Sequence, residues 1–252
     1  MNVLSLFSGI GGLDLGLQRA GMTIAGQVEI DPWCRKVLAK HWPEVPRHDD
    51  VRTCAGWWGG RRAPDLVCGG FPCQPVSVAG RGLAQEDPRW LWPAFAGVIG
   101  AVQPRWVIIE NVPGLRRRGL ADVLADLDRL GYRARPGYIS ACEMGASHAR
   151  KRLFVLAHSR SERCHGAADS EGTRRPAPVR GETVDNARHG GGPPWRDWWV
   201  AEPGVGRMAH GIPPELDRLR GLGNAVVPQV AQHIGRLILA ADGNAADRGR
   251  AA

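Results

Sequence analysis

Lysine is nearly missing from this 252-residue sequence. It occurs only at Lys36, Lys40 and Lys151, so the formal charge of +8 rests on arginine. Arginine offers a rigid planar fork suited to phosphates and guanine edges, where lysine offers a point charge. The excess points towards a nucleic-acid partner, although a GC-rich gene would produce it too. No two of the six cysteines (34, 54, 68, 73, 142 and 164) stand in CxxC spacing, which argues against a zinc framework, and no metal is expected. No apolar run reaches the ~18 residues that would cross a bilayer. No basic stretch followed by an apolar one opens the sequence, so no export signal and no membrane partner are expected. A cytoplasmic chain with reduced thiols follows from these absences. No internal repeat is visible. What is present, at 43% hydrophobic residues, suffices for one core with a small appendage.

Short apolar runs alternate with amphipathic stretches over residues 1–157. Strands are expected at Asn2–Phe7, Ile24–Glu29, Leu66–Gly70, Trp106–Ile109 and Leu153–Ala157. Helices are expected after the loop Ser8–Gly12 (Leu13, Leu17, Ala20, stopped by Gly21), from Pro32, over Trp90–Val102, over Leu120–Leu130 and over Val226–Ala240. This order predicts an α/β fold, a mostly parallel sheet with helices on both faces. Such sheets hold ligands at the carboxyl ends of their strands. Residues 158–200 are rich in Arg, Gly, Pro, Ser and His and lack periodicity. They read as a disordered linker or a small recognition region.

Three loops at expected strand ends carry chemistry. Phe7-Ser8-Gly9-Ile10-Gly11-Gly12 would bring backbone amides close to a ligand at a helix N-terminus. Glu29, about 20 residues on, stands where an acidic side chain can bind ribose hydroxyls. Asp50 could accept from an adenine amino group. The glycine spacing is not the dinucleotide pattern, so an adenosine-containing cofactor other than NAD is expected. Gly70-Phe71-Pro72-Cys73-Gln74-Pro75 presents a cysteine on a rigid loop, where arginines could lower its pKa. A buried hydrophobe is the commoner fate of a free cysteine. Glu110-Asn111-Val112-Pro113 ends the next strand, where Glu110 could face that cysteine or merely cap a helix.

In this order, with His148-Ala149-Arg150-Lys151-Arg152 and Gly223-Asn224-Ala225-Val226 following, the sequence resembles the cytosine-5 DNA methyltransferases over residues 1–157 and 200–240. The resemblance implies a Rossmann-like, S-adenosylmethionine-dependent methyltransferase sheet of seven strands plus a small irregular target-recognition region. Domains would be 1–157 (catalytic and cofactor-binding), 158–200 (recognition), 201–241 (a return to the catalytic domain beside the first loop) and 242–252 (a disordered tail). Cys73, Glu110, Arg150 and Arg152 would be catalytic, with Arg150 ordering the loop or holding a phosphate. Phe7, Gly9, Ile10, Gly11, Gly12, Glu29, Ile30, Asp50, Val51, Pro72, Leu91, Asn224, Ala225 and Val226 would bind S-adenosyl-L-methionine and its product S-adenosyl-L-homocysteine. Two segments depart from the family pattern. His148 stands where the hairpin usually has glutamine, and Arg89-Trp90-Leu91-Trp92 lacks a usual glycine.

The implied reaction methylates carbon 5 of a cytosine flipped out of double-stranded DNA, through a covalent Cys73 adduct. The resemblance further implies a monomer and DNA methylation, either within restriction-modification alongside a cognate restriction nuclease or as a stand-alone, phage-borne enzyme. The same chemistry on RNA, or a non-catalytic DNA-binding relative, are the alternatives. Intact Cys73, Glu110, Arg152 and Asn224 weigh against the second.

Overall fold

A computed structural model describes residues 1–72, 90–160 and 223–250. These stretches belong to one compact unit. Cys73, Gln74 and Arg89, and the recognition stretch from residue 161 to 200, lie outside the described residues.

The chain alternates β1 (Asn2–Leu6), α1 (Gly12–Arg19), β2 (Thr23–Val28), α2 (Pro32–His41), β3 (Arg47–His48), a 3-10 turn at Val51–Thr53, α3 (Cys54–Trp58) and β4 (Leu66–Gly69). After residue 90 come α4 (Trp92–Val102), β5 (Trp106–Asn111), α5 (Leu115–Arg118), α6 (Leu120–Arg129), β6 (Tyr132–Ser140), a 3-10 turn at Ala141–Met144, β7 (Lys151–Ser159) and, from Pro228 to Arg250, α7. The strands form one seven-stranded sheet in the order β3-β2-β1-β4-β5-β7-β6. All pairings from β3 to β5 are parallel, and β7 is antiparallel to both β5 and β6.

Alternation along the central strands divides two apolar layers. Leu4, Leu6, Val67, Val107 and Ile109 pack with Phe95, Val98, Ile99, Val123 and Leu127 of α4 and α6. Val3, Leu66, Cys68 and Ile108 pack with Leu13 and Leu17 of α1 and Val230, Ile234 and Ile238 of α7. The expected α/β sandwich is therefore present, with one strand reversed.

Three features depart from the sequence expectation. β6 carries Pro136 and Gly137, which weaken any strand signal. It is tolerated because β6 is the sheet edge among the described residues, where a missing N–H leaves no strand partner unsatisfied. α4 starts at Trp92, after Trp90 and Leu91. α7 starts at Pro228 and runs to Arg250, through the stretch expected as a disordered tail. Alanines at 240, 241, 245 and 246 favour helix there, and Asp242 ties the helix to the sheet through Arg105 at 2.5 Å and Trp106 Nε1 at 3.3 Å.

Glycine sets the distance between α1 and α7. A Cβ on Gly12 would stand 2.3 Å from the Val226 carbonyl oxygen, and one on Gly16 would stand 2.3 Å from the Pro228 oxygen and 2.5 Å from Ala231 Cβ. Alanine is the better helix former by ~1 kcal/mol. Gly16→Ala should nevertheless destabilise the chain by ~1–3 kcal/mol, because backbone must move to admit the methyl. Thermal unfolding of the variant checks this, and a Tm above that of the unaltered chain would contradict the packing.

Candidate active site

Strand register brings the three loops level. Leu6 pairs with Val28 and with Gly69, and Gly69 pairs with Ile109. Phe7, Glu29 and Gly70 therefore leave the sheet level with Glu110, next to last in β5, at the same carboxyl edge. β7 runs the other way, so its start at Lys151-Arg152 lies at that edge too, just before Leu153, which pairs with Asn111.

In the first loop, Ser8 N donates to Val28 O (3.0 Å) and Gly11 N to Ser8 O (2.9 Å). Glu29 clamps it. One carboxylate oxygen accepts from Gly9 N at 2.7 Å and the other from Asp31 N at 2.8 Å. Burial raises the Glu29 pKa above the ordinary value, against the pull of these two amides. Each carboxylate oxygen keeps a further lone pair, so the residue fits two ribose hydroxyls. Ile30, beside it, is 63% exposed, an apolar surface open to a flat ring. Asp50 caps the 3-10 turn by accepting from Arg52 N (2.9 Å), and the Arg52 guanidinium grips both its oxygens at 2.7–3.0 Å. That fork lowers the Asp50 pKa. Val51 is buried in the core, and Leu91 packs against the core at the start of α4. Asn224 is exposed, while Ala225 and Val226 are half-buried, with Val226 against Gly12.

Beneath the loop lies a polar cluster that the sequence reading missed. Asp14 is buried on α1, accepting from Ser5 Oγ (3.0 Å) and Gln27 Nε2 (2.8 Å), while Ser8 Oγ bonds to Ser5. Burial lifts the Asp14 carboxyl to about 6. Its one signal in the sequence was an acidic residue next to Leu13, on the helix face expected to be apolar.

At the second and third loops, Asn111 Nδ2 donates to Phe71 O at 3.1 Å and its Oδ1 accepts from Val112 N at 2.9 Å. One amide thus ties the Phe71-Pro72 turn to the end of β5. Phe71 meets Trp90 edge-on, with ring centroids 5.2 Å apart, so the residues on either side of 73–89 are held together. Pro72 is half-buried. Glu110 is 8% exposed, and its carboxyl leans over Gly70, where a Cβ would stand 2.7 Å from Oε2. Arg152 Nε lies 3.0 Å from Glu110 Oε1. Burial outweighs the Arg152 and Arg150 charges and lifts the Glu110 carboxyl to about 7. Near neutral pH it can therefore donate or accept a proton. Arg150 turns elsewhere. Its Nη2 donates to Gly223 O at 2.7 Å and Ala225 O at 2.8 Å.

The folded chain holds the Glu110 proton to higher pH than an unfolded chain does. The stability this gives is complete below the ordinary value of 4.5 and is lost as pH rises through about 7. The loss is on the order of 3 kcal/mol. Chemical denaturation near pH 4.5 and pH 8 should show a larger fall in unfolding free energy for the unaltered chain than for Glu110→Gln. Asp14 titrates in both and cancels. Equal falls would show that Glu110 ionises normally.

Residues 1–186 match the family model of the C-5 cytosine-specific DNA methylases. Among curated relatives, the Type II methyltransferase M.HgiCII of Herpetosiphon aurantiacus is 35% identical over 61% of this chain and 36% of its own length. The Type II methyltransferase M2.BsuMI of Bacillus subtilis is 35% identical over 62% of this chain and 42% of its own length. The match therefore spans less than half of either relative. Among solved structures, the S. pombe Dnmt2 methyltransferase superposes with a TM-score of 0.52 at 25% identity, over 63% of this chain and 49% of that one. The seven-stranded sheet, the level edge that carries the glycine loop, Glu29 and Glu110, and the family match over residues 1–186 agree, and the chain belongs to the C-5 cytosine-specific DNA methylases.

Proposed function

We propose that this chain is a DNA (cytosine-5)-methyltransferase that uses S-adenosylmethionine. The observation that carries the reading is the buried Glu110–Arg152 pair, at the sheet edge where the Phe71-Pro72 turn delivers the chain to Cys73. The first loop and Glu29 would hold the adenosine half of the cofactor, with Ile30 and Asp50 towards the base. S-adenosylmethionine, when bound, supplies the sulfonium-activated methyl that carbon 5 accepts.

The chain's own residues have three tasks. Cys73 adds as thiolate to carbon 6 of cytosine, which turns an unreactive carbon 5 into the nucleophilic end of an enamine. Glu110 gives its proton to ring N3 as the thiolate adds. Its raised pKa suits this, since a carboxyl already neutral near pH 7 needs no prior protonation. Arg152 both holds that carboxyl and presents a cation to the ring carbonyl oxygen, where negative charge grows. Removal of the carbon 5 proton and expulsion of Cys73 then restore the ring. A stacked base is out of reach of such a pocket, so the cytosine leaves the duplex, at a cost of about a few kcal/mol. Arginine contacts to phosphates would offset this.

The names of the Type II relatives support a place in restriction-modification, and a cognate nuclease is the partner proposed there. We assign site choice to residues 158–200, because the catalytic groups treat every cytosine alike. That stretch carries Arg160, Arg163, Arg174, Arg175, Arg180, Arg188 and Arg196, and arginine pairs bidentately with guanine in the major groove.

DNA carrying 5-fluorocytosine should become covalently attached to the chain, since fluorine blocks the elimination step. Cys73→Ala should abolish attachment while far-UV circular dichroism stays unchanged. Attachment that persists in the variant would sink the assignment. For site choice, residues 158–200 are exchanged for those of a relative with another target, and methylation is mapped by bisulfite sequencing. The methylated sites should move, and an active chimera with unmoved sites would place recognition elsewhere.

A further inference from the structure

Two arginines, two residues apart, end on different partners. Arg152 reaches Glu110, whereas one guanidinium nitrogen of Arg150 bridges the carbonyls of Gly223 and Ala225, on either side of Asn224. Those carbonyls belong to the segment that leads into α7. Directly after them, Val226 lies so close to α1 that Gly12 has no room for a Cβ. Gly12 is the last residue of the first loop and the first of α1. The segment is thus gripped from one side by Arg150 and rests on the glycine loop on the other.

Two further features mark the grip as built. Arg150 has φ +22°, a conformation in which a side chain at Cβ is strained. It falls one residue before β7, where ordinary strand geometry would begin. Ile139, Phe154, Val226 and Val230 line a cleft with the two arginines, so the hydrogen bonds to the carbonyls form over an apolar floor. The bond to Ala225 is half-buried there, and the bond to Gly223 lies at the exposed side. Burial and the neighbouring Arg152 lower the Arg150 pKa, but a guanidinium stays charged and keeps donating.

We infer that Arg150 is a positioning residue for the cofactor site and does not contact the flipped base: it holds residues 223–226 closed against the glycine loop. This rests on the reading of that loop as the S-adenosylmethionine site. The β6–β7 hairpin then serves both halves of the reaction, with Arg152 on the base pocket and Arg150 on the closure of the cofactor pocket.

The full-length chain is compared with Arg150→Ala, Arg150→Lys and Arg152→Ala, each checked for fold by circular dichroism. Without cofactor, amide hydrogen exchange should quicken across residues 223–230 in Arg150→Ala and stay unchanged within β5. With cofactor, calorimetric titration of S-adenosylhomocysteine should show affinity falling about tenfold in Arg150→Ala. Arg150→Lys, which keeps a charged donor, should recover most of it, and Arg152→Ala should stay within about twofold of the unaltered chain. In steady-state methylation, Arg150→Ala should raise KM for S-adenosylmethionine by a larger factor than it lowers kcat. Should Arg150→Ala fail to fold, the exchange and titration of Arg150→Lys against the unaltered chain decide, with a partial loss in both expected. Unchanged exchange at 223–230, or unchanged S-adenosylhomocysteine affinity with a collapsed kcat, would overturn the inference. An unaltered chain that does not bind S-adenosylhomocysteine would instead overturn the proposed function, while the exchange arm would still read the grip.

Discussion

The first and last helices approach each other backbone to backbone, and the rest of the site depends on that approach. Gly12 and Gly16 of α1 leave no space between themselves and the carbonyls of Val226 and Pro228, and Gly235 of α7 leaves little between itself and Ala20. Any side chain in these positions would lift α7 off the sheet. The apolar layer of Val3, Leu66, Cys68 and Ile108 would then lose Val230, Ile234 and Ile238. Residues more than 200 positions apart are thereby brought to one loop, and a chain end far off in sequence becomes a wall beside the glycine loop.

A second constraint is electrostatic. Charges at the sheet edge are held in a poorly solvated setting and balanced one against another. Glu29 is tied by two backbone amides, Glu110 by one guanidinium, and Asp14 by a hydroxyl and an amide. Each carboxyl is raised in pKa because burial exceeds what its partners return. Asp50 is the contrast. It lies near solvent, a guanidinium grips it from two residues away, and its pKa falls. Of these, Glu110, lifted to about 7, is the one that the proposed chemistry asks to give up a proton, while the guanidinium beside Asp50 favours its ionised form.

Much of this was legible in the residues. Apolar periodicity gave β1, α1, β2, β4, β5, α6 and β7 close to their observed limits, because each has a buried face with a regular repeat. It did not give β6, whose outer edge faces no partner strand among the described residues and so tolerates Pro136 and Gly137. It did not carry α7 past Ala240 either, since alanine favours helix without marking a face. The motif residues Glu29 and Glu110 were visible as acidic groups at strand ends. Asp14 was obscured because a charge on an apolar helix face carries no local sign of the hydroxyl and amide that receive it.

The sequence by itself determined the fold class, the order of the loops and the residue types at each strand end, because these follow from local repeat and local chemistry. Only the tertiary structure decided which groups meet. That Arg152 answers Glu110 while Arg150 holds Gly223 and Ala225, and that Asn111 ties down the Phe71-Pro72 turn, depend on strand register and on the closeness of α1 and α7. The physical reason is range. A side chain's partner is fixed by distances of a few ångströms between segments dozens to hundreds of residues apart, and hydrophobic periodicity describes only which face of each segment is turned inward.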